Sequence, residues 1–257
     1  MSLFAFFKLG CKKIKIKILD VLFPPACALC KTALQSQQSV ELCGNCWKNL
    51  RFITGPYCKI CGLPLEYGDS GQTCLGCIKN KSCFDCARAA IVYGGTGKSL
   101  ILRFKHNDET RLLKTLSNWL LRAISELPLK NGEAVVLAPI PLHWTRLVVR
   151  KYNQSALLSK GISMLTGTPC VFNLLKRIRM TKSQGRFGLN QRRLNVKGAF
   201  RLKTKYQNSL YGKTVLLIDD VFTTGSTINE CAKVLKLAGA HKVYAVTVAK
   251  TDHPQTA

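Results

Sequence analysis

Short apolar runs alternate with segments of helical periodicity over most of the chain. Runs rich in β-branched residues predict strands at 89–93, 135–138, 215–218 and 243–248. Apolar residues at helical spacing predict helices at 99–104, 112–127, 155–165 and 228–237. Strands that alternate with helices favour a parallel sheet, so this part of the chain is predicted to adopt an α/β fold.

Residues 27–77 follow a different pattern, with little helical periodicity and four Cys-x-x-Cys pairs. The pairs form two quartets with the same internal spacing of twelve residues: Cys27, Cys30, Cys43 and Cys46, then Cys58, Cys61, Cys74 and Cys77. Four thiolates on two tight turns complete a tetrahedral Zn²⁺ shell with no open position, which is the structural arrangement. We therefore expect two structural zinc ions. Sequential pairing of the knuckles is the preferred hypothesis, and interleaved pairing stays open.

The cysteine spacing also indicates the redox compartment and the role of the cysteines outside the quartets. Metal-ligand spacing indicates a reducing compartment rather than a disulfide framework. Cys83 and Cys86 have no further pair with which to form a quartet, so we expect them to be structural or incidental, with a third metal as the alternative.

The charge of the chain predicts an anionic partner. The formal net charge is +26, and residues 134–218 hold 16 Lys and Arg but no Asp or Glu. Residues 179–198 are predicted to be a flexible basic loop or an extended hairpin. Nucleic-acid contacts are expected from Arg186, Arg192, Arg193 and Lys197. Candidate stacking rings, for which core packing is the alternative, are Tyr152, Phe172, Phe187 and Phe200.

The stretch from residue 215 to residue 227 carries the clearest chemistry. A buried strand leads into Asp219 and Asp220, and a turn then opens a helix; the turn is Thr223, Thr224, Gly225, Ser226 and Thr227. A helix N-terminus offers free N–H groups and the positive end of the helix dipole to an anion. The turn can therefore hold a phosphate while the two carboxylates accept hydrogen bonds from ribose hydroxyls. The alternative is an ordinary capped turn with surface acids.

Residues 215–227 resemble the phosphoribosyl-diphosphate (PRPP) signature of type I phosphoribosyltransferases. The resemblance implies a parallel sheet with helices on both faces, Mg²⁺ that binds with PRPP, and a 5′-phosphate held by the 223–227 turn. It also implies catalytic roles for Asp219, Asp220 and Lys105. Pyrophosphate contacts would come from the loop after Pro141, through His143, Arg146 and Arg150. For His143 a structural role is the alternative, and residues 179–198 could close as a lid.

Residues 20–250 as a whole resemble the competence protein F family, which joins a double zinc ribbon to a phosphoribosyltransferase-like domain. The matching segments are 102–106, 139–146, 150–155 and 191–200, and Lys151 stands where the family has Gly. The resemblance implies a role in natural competence, with single-stranded DNA and a helicase-type competence protein as partners. The alternative is a non-catalytic, zinc-containing protein that binds single-stranded nucleic acid and reuses the fold.

These features divide the chain into three parts. Residues 1–25 are a basic amphipathic segment, 26–87 a double zinc ribbon and 88–257 a phosphoribosyltransferase-like domain. In the first part the apolar run precedes the lysines, which is the wrong order for a secretory signal. We expect a cytoplasmic protein, and contact of the first segment with the inner face of the membrane is the alternative to its packing on the zinc module.

Overall fold

The computed structural model describes residues 25–34, 41–69, 71–106, 110–180 and 189–252. Contacts divide the chain into two compact units, residues 1–49 and residues 50–257. The amphipathic segment predicted for residues 1–25 lies outside the described residues except for Pro25, and Arg186 and Phe187 also lie outside them. No helix in the described part is long and apolar enough to cross a bilayer.

The smaller unit is built around one pair of cysteine turns. An antiparallel bridge joins Ala26 to Ala33, and helix α1 spans Gly44–Lys48. The side chain of Cys43 caps this helix, because its sulfur accepts from the backbone N–H of Cys46.

The larger unit contains a sheet of four parallel strands. In chain order they are β1 (Cys86–Val92), β2 (Val135–Pro139), β5 (Thr214–Phe222) and β6 (Lys242–Lys250), and their order across the sheet is β1-β6-β5-β2. Beside β2, the backbone of Leu137 also exchanges hydrogen bonds with Pro169 and Val171. Two short strands, β3 (Leu175–Arg177) and β4 (Phe200–Leu202), form a separate antiparallel pair. All four predicted strands are confirmed, and β5 runs on through both acidic residues.

Seven helices of the larger unit are described. They are α2 (Leu75–Lys79), α3 (Gly95–His106), α4 (Leu113–Ser125), α5 (Trp144–Arg150), α6 (Gln154–Thr166), α7 (Leu189–Val196) and α8 (Ser226–Leu237). Single 3-10 turns span Thr110–Leu112 and Thr204–Tyr206. The four helices expected from periodicity correspond to α3, α4, α6 and α8.

Helices cover both faces of the parallel sheet. Side chains alternate between faces along a strand, so Val215 and Leu217 of β5 share one face, where they pack with Ile228 and Leu235 of α8. Helices α4 and α6 pack on each other, with α4 against β1 and β6 and α6 against β2 and β5. Glycine lets them approach closely, because a Cβ on Gly161 would lie 2.2 Å from the Ser117 hydroxyl oxygen. The predicted α/β fold is confirmed.

The second cysteine quartet belongs to the core of the larger unit. Cys58, Cys61 and Phe84 pack in the same apolar cluster as Val215 and Leu217 of the sheet. Asp85 ties this ribbon to the start of β6, since its N–H donates to the Val243 carbonyl at 2.8 Å and its carboxylate accepts from the Val243 N–H at 2.7 Å. The second ribbon is therefore an integral part of the larger unit.

The structure corrects the expectation for residues 179–198. Residues 189–196 form helix α7 rather than a loop, while strands β3 and β4 pair on either side of the segment as an extended hairpin would require. Helix α7 is stabilised at its end, where Val196 is fully buried and the Arg179 guanidinium donates to the carbonyls of Asn195 and Lys197. These contacts come from outside the helix, so its own weak periodicity did not predict it.

The lysine that stands in place of glycine occupies a strained position. Lys151 ends helix α5 in the left-handed region, with φ of 62°. That conformation destabilises a residue with a Cβ by roughly 1–2 kcal/mol. Glycine avoids this strain but loses more conformational entropy on folding, so its net gain in stability is smaller. We expect Lys151→Gly to raise the free energy of unfolding by about 0.5–1 kcal/mol in chemical denaturation.

The matched control is Lys160→Gly, at an exposed position inside helix α6. There glycine should lower the free energy of unfolding by about 1 kcal/mol. A loss of stability in both variants would contradict the left-handed assignment of Lys151.

Candidate functional site

A cavity of about 450 Å³ opens at the carboxyl ends of the parallel strands. This is the edge where open α/β sheets bind their ligands. The cavity is lined by the end of β5, by the turn that opens α8, and by helices α3, α5 and α6. Among the described residues, its charged lining consists of two acidic and five basic side chains: Asp219 and Asp220, then Lys98, Lys105, Arg146, Arg150 and Arg177.

The two acids at the end of β5 are held by different partners. The Ser155 hydroxyl and the backbone N–H of Asp220 donate to Asp219 Oδ1, at 2.8 and 2.9 Å. The Lys105 ammonium lies 2.9 Å from Asp220 Oδ2, and both side chains of this ion pair are largely buried. Burial and the neighbouring Asp220 carboxylate raise the pKa of Asp219 to about 7. The pair therefore carries less than its full negative charge near neutral pH.

Lys105 is placed by contacts between helices α3 and α6. The Tyr152 hydroxyl donates to the Phe104 carbonyl at 2.9 Å, and the Gln154 amide donates to the Lys105 carbonyl at 3.1 Å. The Asn153 side chain caps α6 through the Ser155 N–H and also donates to the Ile140 carbonyl. The 150–155 segment thus fixes both the lysine and the serine that contact the acids.

Three arginines face the acids with an excess of positive charge. Burial and, after it, the charge of the nearby Arg146 lower the pKa of Arg177 to about 10, while Asp219 opposes the shift. Burial and the charge of Arg150 likewise lower the pKa of Arg146. A lowered guanidinium pKa means that the charged form is costly where it stands, so an anion in the cavity would relieve the repulsion.

Hydroxyl groups and backbone N–H groups gather at the turn from Thr223 to Ser226. Gly225 lies at the N-terminus of α8 with φ of 73°, and a Cβ there would come within 2.5 Å of the Phe222 ring. The Thr224 and Ser226 hydroxyl oxygens are 2.7 Å apart, and the Ser226 N–H donates to Thr224 Oγ1 at 3.3 Å. Hydroxyls and helix-end N–H groups therefore converge where the dipole favours negative charge.

The remaining predicted site residues are placed as follows. His143 is buried, and its Nδ1 caps helix α5 by accepting from the Thr145 N–H. This is the structural role that was the alternative to a pyrophosphate contact. Thr227 lines the cavity with the turn. Arg192 and Arg193 lie in helix α7, and Lys197 follows it on the surface. Three predicted stacking rings are described. Phe200 is 3% exposed and belongs to the core, Tyr152 is half-buried, and Phe172 is 50% exposed.

Two residues of the cavity carry no sequence signal that would have identified them. Arg177 sits on a three-residue strand amid many other basic residues, and only the fold turns it inward. Ser155 is one of many serines, although its place just after Asn153 marks it as an N-terminal helix residue.

The cysteines form two tetrads that match zinc. Within each of the sequential quartets, all four sulfur atoms lie within 4.8 Å of one another. The sulfurs of Cys30 and Cys43 are 3.5 Å apart, and those of Cys61 and Cys74 are 3.7 Å apart. Tetrahedral Zn²⁺ with Zn–S bonds of about 2.3 Å separates its sulfurs by about 3.8 Å. The geometry thus fits zinc and selects sequential pairing.

Cys83 and Cys86 lie outside both tetrads. The buried Cys86 thiol donates to the Lys59 carbonyl at 3.3 Å, and the Cys83 N–H donates to the Asn229 side-chain oxygen at 2.7 Å. Both contacts join the second ribbon to its surroundings, in keeping with the structural role expected for this pair.

Comparison with known families assigns both parts of the chain. Residues 18–87 match the double zinc ribbon domain, and residues 175–257 match the phosphoribosyl transferase domain. The chain is therefore a protein in which two structural zinc sites precede a phosphoribosyltransferase-type domain.

Curated relatives carry names that refer to competence and to DNA utilization. Competence protein F of Haemophilus influenzae is 36% identical over 56% of this chain and 63% of its own length. The DNA utilization protein YhgH of Salmonella typhimurium is 31% identical over 58% and 64%, and the competence protein ComFC of Streptococcus pneumoniae is 31% identical over 61% and 64%. The chain thus spans less than two thirds of the length of these relatives. Over these shares of its length the chain is similar to competence protein F.

The second tetrad should be essential to the stability of the larger unit. Replacing one thiolate, as in Cys58→Ser, should remove one of two zinc ions and lower the free energy of unfolding by more than about 4 kcal/mol, because Cys58 lies in the apolar core. Zinc content and chemical denaturation measure the two effects.

Cys86→Ser is the matched control, since it makes the same change at a buried cysteine outside the tetrads. The serine hydroxyl can still donate to the Lys59 carbonyl, so both zinc ions should be kept and the loss should stay near 1 kcal/mol. Equal effects of the two variants would argue against zinc at the second tetrad.

Proposed function

We propose that the cavity at the end of β5 binds PRPP together with Mg²⁺. The observation that carries the proposal is the placement of an acid pair and a phosphate-type turn in one cavity with five basic side chains. A ligand that fits this distribution needs neighbouring hydroxyl groups and several phosphates. PRPP has both, and the resemblance of residues 215–227 to the PRPP signature points to the same compound.

Each part of the ligand has a partner in the cavity. The Thr223–Thr227 turn would take the 5′-phosphate, and Asp219 and Asp220 would accept hydrogen bonds from the ribose hydroxyls. The diphosphate would lie among Arg146, Arg150 and Arg177, where it relieves their mutual repulsion. Phosphate and carboxylate oxygens are the ligands that Mg²⁺ prefers, and the ion would neutralise the diphosphate.

Lys105 would change partners when the ligand binds. In the free protein its ammonium neutralises Asp220, the acid that a ribose hydroxyl would need. A bound phosphate offers Lys105 a second anion, so the lysine can release Asp220 and remain paired. The predicted catalytic roles of Lys105, Asp219 and Asp220 depend on an acceptor substrate and stay predictions.

The names of the relatives support a role of this protein in competence. Proteins called competence protein F and DNA utilization protein are similar to this chain over more than half its length. We propose that the chain acts in the uptake or processing of single-stranded DNA, with a helicase-type partner. Zinc tetrathiolates favour a reducing compartment, so the proposed location is the cytoplasm. Contact of residues 1–25 with the inner face of the membrane remains part of the proposal.

Loss of the acid pair should abolish PRPP binding. In calorimetry with Mg²⁺-PRPP, Asp219→Asn/Asp220→Asn should weaken binding by at least about 100-fold, because two charged acceptors worth about 1.5 kcal/mol each are lost. Asp69→Asn makes the same change at an exposed carboxylate that does not line the cavity, and should bind like the parent. Absence of binding by the folded, zinc-loaded parent would refute the proposal.

A second candidate function, nucleic-acid binding, is favoured by the β3–β4 hairpin. Lys176 and Arg201 stand directly opposite each other in the strand register, and both are exposed. Like charges at opposite positions destabilise a strand pair. The exposed Lys205 and the ring of Phe172 lie in the segments that flank this hairpin. A polyanion with unstacked bases would compensate the charges and cover the ring.

Salt dependence tests this second candidate. For a fluorescent oligothymidylate, Lys176→Gln/Arg201→Gln should reduce the slope of log K against log salt by about 1.4, since each phosphate contact on a single strand contributes about 0.7. Lys160→Gln removes an exposed lysine from helix α6 in the same acid-free stretch and should reduce the slope less. An unchanged slope in the double variant would exclude the hairpin as the contact surface.

A further inference from the structure

A second cavity, of about 560 Å³, adjoins the same turn. Its walls are the second zinc ribbon, the end of helix α7, the start of α8 and the end of β6. Among the described residues, it shares with the first cavity only Phe222, Thr223, Gly225, Ser226 and Thr251, and neither Asp219 nor Asp220 lines it. The two cavities therefore share the turn, but the second one lacks the two acids proposed to hold PRPP.

One wall of this cavity is apolar. Leu63 and Phe84 come from the ribbon segment, Val196 from α7 and Phe222 from the end of β5. The two phenylalanine rings meet edge to face, with centroids 5.9 Å apart. A wall of this kind, with a few polar groups beside it, suits a flat ring of moderate size.

The amide of Asn229 supplies hydrogen-bond donors beside this wall. Its side-chain oxygen accepts from the Cys83 N–H at 2.7 Å, and only an oxygen can accept there. That contact fixes the orientation of the amide, so its NH₂ group is the end that remains for a ligand. The ligand should therefore present acceptors, such as the carbonyl oxygens and ring nitrogens of a nucleobase. The Ser82 hydroxyl lies in the same lining.

The mouth of the cavity is basic. Lys79, Lys81 and Lys197 are exposed there, and Lys250 is buried, with its ammonium 3.5 Å from the centre of the Phe222 ring. The carboxylate in the lining, Glu230, already accepts from the Gly198 N–H at 2.9 Å. At the mouth, the three exposed lysines therefore outnumber this one acid. An anionic group on the ligand would be held at the mouth.

We infer that this second cavity binds a nucleotide. The base would lie against the apolar wall with an acceptor edge on Asn229, and the phosphate would meet Lys79, Lys81 and Lys197. A free nucleoside 5′-monophosphate and a nucleotide unit of single-stranded DNA offer the same chemistry. The second zinc site thus forms a wall of a ligand cavity, because Cys61, Cys74 and Cys77 line it.

Calorimetry on the zinc-loaded chain of 257 residues tests the inference with dGMP, dTMP and an oligothymidylate of twelve nucleotides. Asn229→Asp keeps the acceptor for the Cys83 N–H, removes both amide donors and adds a negative charge. It should weaken binding at least tenfold. Lys79→Gln/Lys81→Gln leaves Asn229 in place and should also weaken binding at least tenfold. Lys59→Gln, at an exposed ribbon lysine outside both cavities, should bind like the parent.

The outcomes separate the two cavities and the two ligand sources. Binding that survives Asp220→Asn but not Asn229→Asp supports the second cavity, whereas the reverse would place the nucleotide in the first cavity and overturn the inference. No binding of any of the three probes at millimolar concentration would also overturn it. Tighter binding of the oligomer than of the monophosphates, with the same sensitivity to Asn229→Asp, identifies single-stranded DNA as the source. Equal affinities identify the free nucleotide.

Discussion

Two neighbouring carboxylates at the end of a buried strand are the constraint on which the site depends. Asp219 and Asp220 follow four residues that are almost fully buried, so both must lose part of their hydration. The Lys105 ammonium and the Ser155 hydroxyl offset this cost, and the pKa of Asp219 still rises because burial and the second acid oppose its charge. The arginines beyond them leave the cavity with excess positive charge. Among the described residues the lining thus has more basic than acidic side chains, which favours an anionic ligand.

The Thr223–Ser226 turn connects the acid pair to the second zinc ribbon, because it borders two cavities. One side of the turn belongs to the acid-lined cavity, and the same residues border a cavity whose other wall is the second zinc ribbon. Position 225 requires glycine, because a Cβ there would collide with the Phe222 ring. That ring in turn contacts Phe84 and Lys250. The second cysteine tetrad, the turn and the end of the sheet thus lie around one cavity. A structural zinc site can in this way take part in ligand recognition without any open coordination position.

Sequence patterns predicted those parts of the site whose chemistry is local. The strand, acid pair, turn and helix occupy thirteen consecutive residues, and cysteine spacing reports two tight turns around one ion. The patterns gave no sign of Arg177, which becomes a site residue only because a three-residue strand turns it into the cavity. They also missed helix α7, which is stabilised by Arg179 and by burial of Val196 rather than by its own periodicity.

By itself, the sequence determined the parallel α/β fold and the two cysteine quartets, and it predicted an anion-binding turn, because each of these patterns involves residues that are close along the chain. Only the tertiary structure decided that the second ribbon shares a core with the sheet, that Lys105 pairs with Asp220, and that His143 caps a helix. It alone revealed the second cavity, whose walls come from segments more than 100 residues apart. The physical reason is that burial and charge pairing act between neighbours in space, whereas periodicity and spacing record only neighbours in sequence.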